Sequence, residues 1–291
     1  MKSIKRSMLF IPGNNPGMIQ SADVFNGDAI IIDLEDSVSI DEKDSARVLL
    51  KEALMKLHYH QIEVVVRINP FDTAFYAEDF EVIKNLPIDT ILLPKASIES
   101  VRDLDQRLEA IKSPIRIMVL IETALGVEQV FDILKASDRC EGLMLGGEDL
   151  CVDLNCKRTK EGKEIFYARS KVIMAAKALG KMVVDTPFTD TLDQAGLEKD
   201  TMFAKGLGFD GKASINPRQI ETINQIFSPS QEDLQHAKRI MAAKFEALEA
   251  GLGVFSLDGK MVDLPIIKRA EKTLQTGIKI GLIKDEGFSW S

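Results

Sequence analysis

One stretch limits what this chain can become. Ile117 to Ile121 are five consecutive apolar residues, and Glu122 follows at once. A short run with no polar alternation reads as a strand buried on both faces, the mark of a parallel sheet under helical cover. Thr123 and Ala124 then open a helical pattern with Leu125, Val127, Val130, Phe131 and Leu134 on its apolar side. A carboxylate at the mouth of such a strand is costly unless something there uses it. The unit recurs directly, where Leu143, Met144 and Leu145 run into Gly146, Gly147, Glu148 and Asp149.

The same unit runs through most of the chain. Strands are predicted at Ser7 to Ile11, Ala29 to Ile32, Ile62 to Ile68, Thr90 to Leu93, Met182 to Val184 and Asp210 to Ile215. Helical patterns follow each one. Asp41 is expected to cap the second helix, and Ser97 the fourth, whose apolar line is Ile98, Val101, Leu104, Leu108 and Ile111. After the sixth strand the sequence predicts a long polar loop, roughly Leu150 to Gly162, of the kind that is usually functional. Eight strand–helix units over about 220 residues favour a closed TIM (β/α)8 barrel over an open doubly wound sheet. No glycine-rich phosphate fingerprint follows the first strand, which also weakens the open-sheet alternative.

The barrel is expected to occupy residues 1–228. Residues 229–291 read as a C-terminal helical extension that packs on the barrel or on a neighbouring subunit. A long helix runs from Gln231 to about Ala250, with Leu234, Ala237, Ile240, Met241, Ala243, Phe245 and Leu248 as its stripe, and Gly251 to Gly253 stop it. Val254 to Leu257 turns at Asp258 and Gly259, and Asp263 with Pro265 opens a last helix.

The net charge of −8, without a basic run, argues against a nucleic-acid surface. There is neither a signal-peptide pattern nor an apolar run near membrane length, which points to the cytoplasm and to no membrane partner. Cys140, Cys151 and Cys156 are odd in number and have no neighbouring histidine, so they read as incidental thiols. His58, His60 and His236 lie away from the strand ends and receive no catalytic role.

In such a barrel the chemistry sits at the C-terminal strand ends. The polar residues fall there in sequence: Asp33, Glu35 and Asp36, then Arg67, Lys95, Glu122, Asp149, Asp185 and Asn216. Glu122 and Asp149 are candidate metal ligands, since hard oxygen donors without His or Cys select Mg2+ or Mn2+. The alternative is that both cap the helices that follow. Arg67 can grip a carboxylate with two N–H groups, or form a structural ion pair with the Asp33–Asp36 cluster. That cluster can hold metal-bound water or stand solvated at the rim. Lys95 can contact an anionic group or sit in a rim ion pair; a Schiff-base role is disfavoured by the carboxylates at the next two strand ends. Gly146 and Gly147 let backbone N–H groups approach a ligand, or simply make a tight turn.

Seven segments carry a family resemblance, in order along the chain: Ser7 to Gly13, Asp33 to Val38, Arg67 to Asn69, Leu93 to Lys95, Ile121 to Ala124, Gly146 to Leu150 and Phe209 to Lys212. Together they resemble the citrate lyase β-subunit family, which belongs with the malyl-CoA lyases and HpcH/HpaI-type aldolases. The resemblance implies a Mg2+-dependent barrel enzyme that cleaves a citryl thioester to oxaloacetate and an acetyl thioester. It implies Glu122 and Asp149 as metal ligands. It implies Arg67 and Gly147 as substrate-binding residues, Arg67 counting also as catalytic; Lys95 and Asp36 join that set from the strand-end reading. It also implies Asp263 as the acid/base, reaching a neighbouring subunit's site; the residues alone read Asp263 as a helix cap. Assembly as a homotrimer or hexamer, with an acyl-carrier subunit and a transferase subunit, follows from the same resemblance. Asn216-Pro217, where free-coenzyme-A relatives often carry His-Pro, is more like the carrier-dependent β subunits. The rival expectations are a stand-alone malyl- or citramalyl-CoA lyase and a non-catalytic carrier-binding subunit.

Overall fold

The computed structural model describes residues 4–59, 62–249 and 254–285. The chain divides into two compact units, Lys5–Asn224 and a second formed from Gln225 onward together with the first residues.

The larger unit is a closed barrel of eight parallel strands in chain order. These are β1 (Ser7–Pro12), β2 (Ala29–Asp33), β3 (Glu63–Arg67), β4 (Thr90–Leu93), β5 (Arg116–Ile121), β6 (Cys140–Leu145), β7 (Met182–Asp185) and β8 (Gly211–Ser214), and β8 closes on β1. Alternate residues of each strand fill the barrel interior, among them Met8, Ile31, Val65, Leu92, Met118, Met144, Val184 and Ala213. The other face packs on helices, which is why both alternations are apolar in sequence. At the N-terminal strand ends Lys5 lies 3.0 Å from Glu63 and 2.6 Å from Glu141. Arg116 pairs with the same two carboxylates at 3.1 and 2.5 Å. This ionic plug leaves the C-terminal end as the mouth.

The helices of this unit are α1 (Pro16–Gln20), α2 (Lys43–Lys56), α3 (Phe75–Ile83), α4 (Ile98–Ala110), α5 (Ala124–Lys135), α6 (Gly147–Asp153), α7 (Phe166–Ala178), α8 (Gln194–Leu207) and α9 (Ile220–Phe227), the last crossing the boundary between the units. Ser97 caps α4 as expected, within a reciprocal capping box with Ser100. Asp41 does not cap α2: it lies in a 3-10 turn, Ile40–Glu42, that precedes the helix. In α5 the buried line is Val127, Val130, Ile133 and Leu134, while Leu125 is 65% exposed and Phe131 is also exposed. Leu125 stands two residues, or about 200°, from Val127, so it faces the opposite side. Ile111 falls at the C-cap of α4 and is exposed. The polar loop expected from Leu150 begins as α6 instead.

The second unit has its own core. Leu234, Ala237, Ile240 and Met241 of α10 (Gln231–Glu249) pack with Ile267, Ala270 and Leu274 of α11 (Leu264–Lys279). Val262 joins them from a hairpin of β9 (Phe255–Leu257) and β10 (Lys260–Val262). Phe245 is exposed rather than part of the stripe. The Leu248 side chain and the stop at Gly251 to Gly253 lie outside the described residues. Among the described residues no helix is long and apolar enough to cross a membrane.

Candidate active site

The mouth is built around Arg67, the last residue of β3. Parallel register sets it beside Asp33, the last residue of β2. Its Nε and Nη2 donate to the two Asp33 oxygens at 2.6 and 2.7 Å, a bidentate clamp. Its Nη1 lies 3.0 Å from Glu35 Oε2 and 3.2 Å from Asp36 Oδ2. The guanidinium also stands 5.0 Å from the ring centre of Phe10. Asp33 accepts the N–H groups of Glu35 and Ser37, which folds the loop after β2 around the arginine. Burial alone would raise the Asp33 pKa, but the hydrogen bonds and charge of Arg67 outweigh it and hold the group below its ordinary value.

Glu122 follows β5 and is buried. Its Oε1 accepts the Lys95 N–H at 2.8 Å. Lys95 reaches that position with φ of +45°, a left-handed conformation uncommon outside glycine. On the other side, a Cβ on Gly146 would lie 2.6 Å from the Glu122 Cβ, so only glycine lets the β6 end pass. Asp149 stands half-buried in the first turn of α6. The Gly147 N–H is taken by Thr186 Oγ1 at 3.0 Å, not turned to the cleft. The Lys95 ammonium is half-exposed, 3.9 Å from Glu35 Oε1.

These groups line or border a cleft of about 360 Å³. Phe10, Asp36, Ser37, Arg67, Glu122, Gly147, Asp149, Thr186 and Thr189 contribute to its wall. Its electrostatics are unbalanced. Burial raises Glu122 well above the ordinary range, Glu35 and Asp149 add to the rise, and the Lys95 N–H and Arg67 oppose it. Burial lifts Glu35 to about 7 against the pull of Arg67, with Asp36 and Asp33 pushing the same way as burial. Oε2 of Glu35 is buried with no hydrogen-bond donor aimed at it. Asp33, Glu35, Asp36, Glu122 and Asp149 thus outnumber Arg67, Lys95 and Lys43, and a divalent ion would offset the excess. Among the described residues no three His, Cys, Asp or Glu side chains converge on one point. The oxygen donors that could hold such an ion are Glu122 and Asp149, with the remaining positions left for substrate and water. Oxygen donors alone fit Mg2+ or Mn2+.

Not every strand-end residue joins this site. Asp185 turns outward from the barrel and pairs with Arg169 and Lys212 beneath the helices. Asn216 caps the short turn Pro217–Gln219. Asp263 belongs to the second unit, where its Oδ1 accepts the Ile266 N–H as the N-cap of α11. The sequence reading missed Phe10, Ser37, Thr186 and Thr189. Phe10 was detectable, because it shares the inward alternation of Met8; the others sit on loops whose course the sequence does not specify.

A family model described as HpcH/HpaI aldolase/citrate lyase matches residues 6–217. The citrate lyase subunit beta of Leuconostoc mesenteroides subsp. cremoris is 40% identical over 292 aligned positions, covering 98% of this chain and 97% of that one. The CitE protein of Mycobacterium tuberculosis in complex with magnesium, acetoacetate and coenzyme A matches with a TM-score of 0.80 at 32% identity, over 95% of this chain and 99% of that chain. A citrate lyase beta subunit from M. tuberculosis complexed with oxaloacetate and magnesium matches with a TM-score of 0.69 at 31% identity, over 78% of this chain and 98% of that chain. Likeness of this extent, in sequence and in the barrel alike, settles the lineage: the chain belongs to the HpcH/HpaI aldolase/citrate lyase family.

Proposed function

We propose that this protein is a carbon–carbon lyase that cleaves a citryl thioester to oxaloacetate and an acetyl thioester, as the β subunit of a citrate lyase. The observation that carries the reading is the pair of buried Glu122 and half-buried Asp149 in a cleft that also presents Arg67. The solved relatives named with magnesium, one of them with oxaloacetate, support a magnesium site and an oxo-acid product. Glu122 and Asp149 would hold Mg2+ or Mn2+, which would supply Lewis-acid charge for the developing ketone oxygen.

The chain's own residues do the rest. Asp33 clamps one edge of Arg67, leaving Nη1 facing the exposed carboxylate of Asp36 at the longest distance of the set. An incoming substrate carboxylate takes that Nη1 from Asp36, so Arg67 and Asp36 act together in binding. Lys95 adds a half-exposed cation at the rim, and Gly147 keeps the wall thin beside Thr186. The carbinol O–H gives its proton to a base, the bond to the thioester-bearing methylene breaks with its electron pair forming an enolate, and the enolate carbon takes a proton back from the acid. Asp263, supplied by a neighbouring subunit, is the proposed acid/base for both transfers. The β-subunit relatives support a multi-subunit assembly. An acyl-carrier subunit and a transferase subunit as partners, a homotrimer or hexamer, and a cytoplasmic location complete the proposal.

The test is oxaloacetate release from citryl-CoA, followed through malate dehydrogenase with and without Mg2+. Metal-dependent release is expected, and Glu122→Ala or Asp149→Ala should lower it on the order of 10³-fold or more while the fold survives. Full activity in either variant would sink the ligand assignment. Release from malyl- or citramalyl-CoA alone would overturn the substrate. Silence on every thioester, carrier-bound included, would overturn the lyase reading.

A further inference from the structure

Between β7, β8, α7 and α8 lies a cluster that the proposed chemistry does not use. Arg169, Asp185, Asp200 and Lys212 are all buried, three of them completely. Arg169 Nε and Nη2 donate to the two Asp185 oxygens at 2.9 and 2.8 Å, and Nη2 also reaches Asp200 at 2.8 Å. Lys212 Nζ lies 2.7 Å from Asp185 and 2.6 Å from Asp200. Two cations and two anions balance. Balance alone does not explain the cluster, because a buried ion group can often be exchanged for apolar residues without loss of stability.

What the apolar alternative could not do is point. A lysine ammonium carries three N–H groups. One of these donates to Asp185, and a second donates to the backbone carbonyl of Thr186 at 2.7 Å, while Asp200 Oδ2 lies at ion-pair distance without a hydrogen bond. Charge balance does not require the bond to Thr186. Thr186 is the residue whose Oγ1 takes the Gly147 N–H, and it backs the cleft. Gly147 starts α6, two residues before Asp149. The contact is close: a Cβ on Gly147 would meet Thr186 Oγ1 at 2.9 Å. The loop after α6 rests on the same cluster, since a Cβ on Gly162 would meet Arg169 Nη1 at 2.9 Å. The two loops that follow β6 and β7 are therefore both seated on one ionic group.

We propose that the Arg169–Asp185–Asp200–Lys212 quartet is a positioning device for the cleft, acting through Thr186 on the first turn of α6 and so on where Asp149 stands. Lys212 and Thr186 are positioning residues rather than catalytic ones. The proposal rests on the reading of this cleft as the active site.

Lys212→Met strands two buried carboxylates and can fail to fold, so the deciding variant is Thr186→Val. It is close in shape and keeps the carbonyl for Lys212, but it removes the acceptor for Gly147. Amide hydrogen exchange by mass spectrometry is read over 147–153 and, as an internal reference, over the β5 strand 116–121. The kcat and KM for citryl-CoA are measured on the same preparations. Faster exchange in 147–153 with β5 unchanged is expected. With it comes a fall of about 10- to 100-fold in kcat at little cost in KM, the scale seen when outer-shell partners of a metal site are lost. Thr186→Ser should restore both. Wild-type exchange in Thr186→Val, faster exchange without a change in kcat, or a serine variant as impaired as valine would each overturn the proposal. A wild-type protein that turns over no thioester would instead count against the functional reading, and the exchange comparison would still decide the coupling.

Discussion

Glu35 shows how a single residue records the job of its surroundings. Its carboxyl is buried among Asp33, Asp36 and Glu122, with Arg67, the more distant Lys95 and Lys43 opposing them, and burial raises its pKa from 4.5 to about 7. A carboxyl with a raised folded-state pKa binds its proton more tightly folded than unfolded. Its contribution is complete below the unfolded value and is lost as pH rises through about 7. The metal-free protein should therefore lose stability between about pH 5 and about pH 8, by up to on the order of 3 kcal/mol from this group. Thermal unfolding in the presence of a chelator measures it. Glu35→Gln should flatten the slope; an equally steep slope in that variant would assign the effect elsewhere. None of this was legible in the sequence, where Glu35 reads as one acidic residue in a rim cluster. The same limit applied to Arg67. Its sequence left open a substrate grip or an ion pair with Asp33–Asp36, and the structure shows the ion pair while leaving Nη1 on its most exposed partner.

Among the elements, two glycines set strand positions by excluding a side chain, and they predict opposite kinds of failure. Gly211 starts β8 at the seam with β1, and a Cβ there would lie 1.9 Å from the Lys5 carbonyl oxygen. Backbone cannot give way as a side chain can, so Gly211→Ala should destabilise the barrel by about 3 kcal/mol or more. Gly146 follows β6 as the N-cap of α6, and a Cβ there would meet the Glu122 side chain rather than backbone. Gly146→Ala should displace that carboxylate and remove turnover while lowering the unfolding midpoint far less. Midpoints and kcat measured on both variants check the contrast, and a reversed order of midpoints would refute it. Seven of the eight strands were legible because apolar runs of three to five residues, largely buried on both alternations, allow little else, whereas β8 carries no such run. α6 was not, because two glycines in a row read as a turn. Its start is fixed by the Gly147 to Thr186 bond, between residues 39 apart in the chain. Asp41 failed as a cap for a related reason: it has cap chemistry, but the chain makes a 3-10 turn before the helix begins.

For the whole molecule, the question is what Asp263 does in a unit separate from the barrel. As the N-cap of α11 it already has a structural role. Asparagine caps as well as aspartate, whereas alanine loses about 1 kcal/mol. Asp263→Asn should therefore unfold like the wild type and yet lose turnover, if the carboxylate is the acid. Asp263→Ala should lose both. An asparagine variant with wild-type kcat would reduce the residue to its cap. Comparing the two variants by calorimetry and by oxaloacetate release separates the roles.

By itself the sequence determined the architecture and the chemistry on offer. Repeated apolar runs followed by helical stripes admit a parallel barrel, and polar residues gathered at the strand ends mark its working face. Period and residue type are local properties, and they survive being read one residue at a time. Only the tertiary structure decided which of those polar residues share a cleft. Asp185 and Glu122 both follow buried strands, yet one turns out beneath the helices to Arg169 and Lys212, and the other stands in the mouth against Lys95. The phase of each strand at its end sets that choice, together with partners 16 to 27 residues away that must reach it to offset a buried charge.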